Sequence, residues 1–153
     1  MPAENAVSRI VVGVDGSASS RAALRWAVRQ AKLAGGTVEA VIAWQVPTVI
    51  TSTGWTPVYA IEEGDFAQDA RKHIDAVIAD VVEPADSKLV HTQVIKGHPA
   101  PVLLDAAAGA DLLVIGSRGH SGFADALLGS VGLHCVHHAH CPVVVVREQP
   151  STP

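Results

Sequence analysis

The chain has 153 residues, of which 48% are hydrophobic and 4% aromatic. This length suits one domain with a full core, and the composition favours an α/β fold over a β-sandwich. A net charge of −4 excludes the basic surface that nucleic acid or an anionic membrane requires. No apolar run approaches the roughly 20 residues that span a bilayer, and the amino terminus has no signal-peptide pattern. We therefore expect a cytoplasmic protein, and its two cysteines do not form a disulfide framework.

The first predicted strand, Arg9 to Asp15, is an apolar run that ends in a carboxylate. The turn after it contains Ser17 and Ser19, either of which can cap a helix that runs to about residue 34. The expected apolar stripe of this helix comprises Ala22, Ala23, Trp26, Ala27, Gln30 and Leu33. A strand that leads through a tight turn into a helix is half of a βαβ unit, so Asp15 lies at the ligand edge of a parallel sheet. Alternatively, Asp15 only caps the turn.

The second predicted strand is Thr37 to Gln45, and the longest irregular stretch of the chain follows it, from Val46 to Ala60. Trp55 in this stretch either stacks as a lid over a ligand or packs against the protein itself or a second subunit. The next helix runs from about Ile61 to Val82, and its buried stripe includes His73.

The third predicted strand, Lys88 to Lys96, alternates imperfectly between apolar and polar residues, which indicates a sheet edge. Gly97-His98-Pro99 follows, and proline at a first helical turn marks the start of a helix that runs to about residue 109. The fourth strand, Asp111 to Ile115, is almost wholly apolar, as expected of a strand that is covered on both faces.

A glycine-rich loop, Gly116 to Gly122, follows the fourth strand. Its glycines let the backbone approach a ligand closely, with N–H groups that can point at an anion. Gly129 and Ser130 come where a predicted helix, Ser130 to His140, begins. We expect the positive end of this helix dipole to face the same ligand crevice as the glycine-rich loop. A fifth strand, Pro142 to Arg147, completes the sheet. The two phosphate-binding elements predict a nucleotide site.

The chain lacks three motifs of common nucleotide and hydrolytic enzymes. It has no P-loop, no Gly-x-Gly-x-x-Gly after the first strand, and no Gly-x-Ser-x-Gly nucleophile elbow. Ser117 or Ser130 with His120 could form a nucleophile pair, but serine and histidine are common in phosphate loops without that role. We therefore expect a binding module with no catalytic residues.

Four histidines and two cysteines lie between residues 134 and 141. His134 and His138 have the i,i+4 spacing of metal ligands. However, Cys135 lies about 100° around the helix from His134, and Cys141 lies beyond the helix end. We expect no metal site here.

The spacing Gly116-x2-Gly119-x9-Gly129-Ser130, followed by a helix and a Pro-Val-Val-Val-Val strand, resembles the ATP-binding signature of the universal stress protein family. The resemblance spans about residues 8–147 and implies a single universal stress protein domain over residues 1–153. We expect an α/β fold: an open five-stranded parallel sheet with helices on both faces and the site at its carboxyl edge. The resemblance implies the strand order 3-2-1-4-5. It also implies a homodimer through the edge strand Val143 to Val146.

The resemblance further implies an adenine nucleotide site. Its residues are Gly13, Val14, Asp15, Gln45, Gly97, Ile115, Gly116, Ser117, Arg118, Gly119, Gly129, Ser130 and Val131. In this assignment Asp15 orients the adenosine, the backbone near Gln45 meets the adenine edge, and Gly97 lies near the ribose. Arg118 either makes a charge-assisted bond to a phosphate or faces solvent. The expected ligand is ATP with a bridging Mg²⁺, in a stress-response protein. A single-phosphate ligand (cAMP or AMP) is the alternative, and a slow ATPase or phosphotransferase is a further one.

Overall fold

A computed structural model describes residues 8–46, 48–51, 54–57, 63–118 and 128–148, with the side chains of all but 48–51, 54–57 and 63. The strands in this part of the chain are β1 (Arg9–Gly13), β2 (Thr37–Trp44), β3 (Thr48–Thr51), β4 (Gly54–Pro57), β5 (Val90–Lys96), β6 (Leu112–Gly116) and β7 (Val143–Val146). The α-helices are α1 (Ala18–Ala34), α2 (Glu63–Val81), α3 (Pro99–Ala106) and α4 (Ser130–His138). None of these helices is both long enough and apolar enough to cross a membrane.

Five strands form a parallel sheet in the order β5-β2-β1-β6-β7. Counted along the chain, these five strands have the order 3-2-1-4-5, so the predicted fold is confirmed. The chain first adds strands on one side of β1 and then, from β6 onward, on the other side. The carboxyl ends of β1 and β6 therefore lie at the topological switch point, where α/β proteins bind ligands. As expected from their sequences, β5 and β7 are the two edges.

The remaining two strands correct the prediction for residues 46–60, which do not form a wholly irregular stretch. β3 and β4 pair antiparallel, with Val49 opposite Thr56 and Ile50 opposite Trp55. The physical reason is that β-branched residues, which are frequent here, favour extended backbone, and two short extended segments close to each other can form a hairpin. The role predicted for the Trp55 side chain lies outside the part of the chain whose side chains are described.

The sheet separates two cores. Ile10 and Val12 of β1 pack with α1 and α2, whereas Val11 packs with α3 and α4. Successive side chains of a strand point to opposite faces, so one apolar strand supplies both cores. This is the reason that β6, and β1 from Ile10 onward, are apolar along their length.

The apolar face predicted for α1 is partly wrong. Its buried hydrophobic residues are Ala23, Leu24, Ala27, Val28 and Ala31. Leu33, which we expected on this face, is 81% exposed. The helix starts at the cap residue Ser17, whose hydroxyl accepts a hydrogen bond from the Ser20 N–H, and ends at Gly35 with φ 72°. These ends and the packing on the sheet turn the buried face toward Leu24 and Val28, away from Leu33.

A carboxylate stabilises the amino-terminal end of the sheet, which is opposite the predicted ligand site. Asp111 accepts hydrogen bonds from the N–H groups of Ser8 and Arg9 and from the Ser8 hydroxyl. The two backbone bonds, from Arg9 and from Ser8, hold the pKa of Asp111 below its usual value. The amino-terminal ends of β1 and β6 are thereby joined.

Candidate functional site

A cavity of about 250 Å³ lies at the carboxyl ends of β1 and β6. Small-molecule sites have volumes of roughly 300–1,000 Å³, so the volume of this cavity is just below that range. Nine of the thirteen predicted site residues line it: Gly13, Val14, Asp15, Ile115, Gly116, Arg118, Gly129, Ser130 and Val131. The structure thus brings together two segments that are about 100 residues apart in the chain.

Four predicted site residues are not among the described residues that line the cavity. Gln45 is exposed at the end of β2. Ser117 is buried, and its backbone joins two elements: its N–H donates to Val146 O, and its carbonyl accepts from the Gly129 N–H. Gly97 has φ 143° and donates its N–H to Trp44 O, so it forms the turn into α3. Gly119 lies outside the described residues.

Six further residues that were not predicted from the sequence line the cavity: Ser20, Val41, Ala43, Pro99, Leu103 and Gly132. Val41 is paired with Gly13 in the sheet, and its neighbour on the same face is Ala43. Only the register between β1 and β2 reveals this proximity. Pro99 could have been found, because it begins α3 two residues after the predicted contact residue Gly97.

The turn between β1 and α1 places Asp15 at the cavity. Its Oδ1 accepts from the Ser17 N–H at 2.9 Å and from the Ser17 hydroxyl at 2.5 Å. Asp15 therefore both caps the turn and lines the cavity. From α2, His73 Nε2 lies 3.3 Å from the Asp15 carbonyl oxygen. The prediction that His73 is on the buried stripe is wrong, because the residue is exposed and reaches this turn instead.

The start of α4 forms the opposite side of the cavity. Gly129 is its N-cap, and this glycine has no side chain that could bond to the first-turn N–H groups. The N–H groups of a first helical turn have no partner within the helix. Here that turn contains Ser130, Val131 and Gly132, all of which line the cavity. The arrangement suits an anion, since the helix dipole adds partial positive charge at the same point.

Gly116 lets the two segments approach closely. A Cβ at this position would lie 2.6 Å from Ser19 Oγ, 2.7 Å from the Ser19 carbonyl carbon and 2.8 Å from Ser20 N. Two of these are backbone atoms of α1. Only glycine therefore permits the observed contact between the end of β6 and the first turn of α1.

The second half of α4 does not form a metal site of three ligands. The rings of His134 and His138 have centroids 4.5 Å apart, but Cys135 is fully buried in the core with α3. Burial raises the pKa of Cys135 to about 11, so its thiol is protonated at neutral pH. Within the described residues, no group of three or more metal-binding side chains comes together.

The model of the universal stress protein family matches residues 6–147. The chain belongs to the universal stress protein family. A universal stress protein of Mycolicibacterium smegmatis is 37% identical over 140 residues, which are 90% of this chain and 47% of that protein. The chain thus spans about half the length of the curated relatives it matches.

Solved structures agree with this membership. The crystal structure of a universal stress protein in complex with cAMP is 25% identical, with a TM-score of 0.68 over 94% of this chain and 99% of that one. UspA from Lactobacillus plantarum is 24% identical, with a TM-score of 0.68 over 92% of this chain and 98% of that one. The second likeness concerns the fold alone.

Proposed function

We propose that this universal stress protein domain binds an adenine nucleotide and acts as a nucleotide-dependent binding module in a stress response. The observation that carries the proposal is the meeting of three elements at one cavity: the Asp15 turn, the end of β6 at Gly116, and the start of α4. The related structure that contains cAMP supports an adenine nucleotide as the ligand.

Each part of the cavity suits one part of the nucleotide. The first-turn N–H groups of α4 and the Arg118 guanidinium would hold phosphate, because they supply hydrogen-bond donors and positive charge. Val41, Ala43 and Leu103 would contact the base, since they provide its apolar surroundings. Asp15 would accept hydrogen bonds from the adenosine hydroxyls.

ATP with Mg²⁺ is the proposed ligand. Mg²⁺ is held by oxygen ligands and commonly by phosphates together with one or two protein groups. The Ser130 hydroxyl lies on the phosphate side of the described lining and would supply one such oxygen ligand. It would bind the ion only together with the phosphates.

Two alternatives use the same cavity. A cyclic nucleotide needs donors for one phosphate only, and the cAMP complex of the related protein favours this alternative. A slow ATPase or phosphotransferase would require Asp15 and Ser130 to act on the phosphates. Turnover that disappears in Asp15→Ala and in Ser130→Ala would identify such an enzyme.

The deciding experiment uses the protein as purified, without added ligand. The protein is denatured, and any small molecule released from it is identified by mass spectrometry. ATP or ADP near one per subunit is the expected result, and cAMP would establish the first alternative. An empty protein whose melting temperature does not rise with millimolar ATP or cAMP would contradict nucleotide binding.

Arg118→Gln tests the phosphate side of the same site. Hydrogen bonds to charged groups contribute about 1.5–3 kcal/mol, so ATP affinity is expected to fall roughly tenfold or more. The matched control is Arg25→Gln, the same change on the exposed side of α1. Isothermal titration calorimetry measures the ATP affinity of both variants. Equal affinities would mean that the Arg118 side chain does not contact the phosphates.

We further propose that the protein forms a homodimer through β7. This strand is a sheet edge, and Val145 on it is 37% exposed. Leu133 and Val136 of the neighbouring α4 are 49% and 45% exposed, which extends the apolar surface beside the edge. An unpaired apolar edge strand is a pairing site for another strand, and a second copy offers the same surface in return.

Val145→Lys is expected to convert this dimer to a monomer, because each subunit would bring a charged side chain into the apolar edge that pairs. Sedimentation velocity measures the change. Leu33→Lys places the same charge on an exposed apolar residue of α1 and is expected to leave the dimer intact. The interface proposal fails if both variants sediment like the wild type.

A further inference from the structure

The hydroxyl of Ser19 joins the two segments that form the cavity. Ser19 is only 4% exposed, and it does not line the cavity itself. Its Oγ donates to the Arg118 carbonyl oxygen at 2.6 Å and accepts from the Arg118 N–H at 3.3 Å. Both backbone polar groups of Arg118 therefore bind one buried side chain that is 99 residues away in the sequence.

Ser19, rather than Ser17, is the donor to this carbonyl. Ser17 Oγ is also 3.3 Å from the Arg118 oxygen, but it is 2.5 Å from Asp15 Oδ1. A hydroxyl has one proton, and the shorter bond to the carboxylate takes it. The two serines thus have separate tasks: Ser17 organises the Asp15 turn, and Ser19 holds the loop after β6.

We propose that Ser19 is a positioning residue for the phosphate side of the nucleotide site, an inference that rests on the proposed function. Its hydroxyl fixes the backbone of Arg118 before the ligand binds, and so fixes the point from which the guanidinium reaches the cavity. Preorganisation of this kind raises affinity because the loop loses less freedom on binding. The contact of Gly116 with the backbone of Ser19 and Ser20 also holds the end of β6, two residues before Arg118, against the first turn of α1.

The structure predicts a selective effect. The residues that would contact the base are Val41, Ala43 and Leu103. The sheet and α3 hold these residues, whereas the described hydrogen bonds of the Ser19 hydroxyl go to Arg118. Loss of the Ser19 hydroxyl should therefore weaken binding of a ligand with phosphates and leave binding of adenosine almost unchanged. A residue with only a general role in stability would weaken both ligands equally.

Titration of the full chain with ATP and with adenosine tests this selectivity. Ser19→Ala is expected to bind ATP about fivefold more weakly, since a typical hydrogen bond contributes about 1 kcal/mol. Ser19→Cys keeps an atom at the γ position but replaces the hydroxyl with a weak donor, and it should behave like Ser19→Ala. The matched control is Ser87→Ala, which removes an exposed hydroxyl that donates to Pro84 O at 2.8 Å, away from the cavity.

Amide hydrogen exchange in the nucleotide-free protein gives an independent measurement. The Arg118 N–H should exchange faster in Ser19→Ala than in the wild type and in Ser87→Ala. Unchanged exchange, or equal losses of ATP and adenosine affinity, would overturn the role of Ser19 while leaving the proposed function intact. A wild-type protein that binds no nucleotide would overturn both.

Discussion

Gly116→Ala is expected to destabilise the fold by about 1–3 kcal/mol, the usual cost of an added methyl group in a packed interior. The new Cβ would lie 2.7 Å from the carbonyl carbon of Ser19 and 2.8 Å from the nitrogen of Ser20. These atoms belong to the first turn of α1 and cannot rotate away as a side chain could. The end of β6 must therefore separate from α1, and Arg118 would lose its alignment with the cavity.

Urea unfolding and ATP titration measure the two consequences. We expect ATP affinity to fall at least about tenfold, since both halves of the phosphate side move. Gly64→Ala is the matched control, because this glycine is in α2 and, among the described residues, no heavy atom outside its own helical turn lies within 4 Å of an added Cβ. Alanine there is expected to be neutral or to stabilise by up to about 1 kcal/mol. A Gly116→Ala protein with wild-type stability and affinity would contradict the described contact.

Leu113→Ala is expected to have the largest effect on stability, about 2–5 kcal/mol. Leu113 is fully buried in the core formed with α3 and α4. It lies between Val11 of β1 and Val143 of β7 in the sheet register. The surrounding strands are held on both sides and cannot close the cavity that alanine would leave.

The control for this change is Leu33→Ala, which removes the same atoms from a side chain that is 81% exposed. It is expected to change the free energy of unfolding by less than about 0.5 kcal/mol. Urea denaturation of both variants gives the comparison. Equal effects would mean that Leu113 does not lie in a packed core.

The sequence by itself predicted the fold because its strands and turns carry strong local signals. The segments Ile10–Gly13 and Leu112–Gly116 are apolar throughout, which indicates parallel strands covered on both faces. The spacing of Gly116, Gly129 and Ser130 predicted that the end of β6 and the start of α4 line the cavity, since glycine and helix starts have recognisable local chemistry. The family, now shown by a match over residues 6–147, was also evident from this spacing.

Only the tertiary structure determines which further residues lie next to the predicted site residues. Val41 reaches the cavity through its pairing with Gly13, and Ser19 reaches Arg118 across 99 residues of sequence. Neither contact leaves a local pattern, because it depends on strand register and on the packing of α1. The same reason explains Leu33 and His73: a helical period describes a stripe, but the surfaces packed against the helix decide which side chains are covered and which atoms they reach.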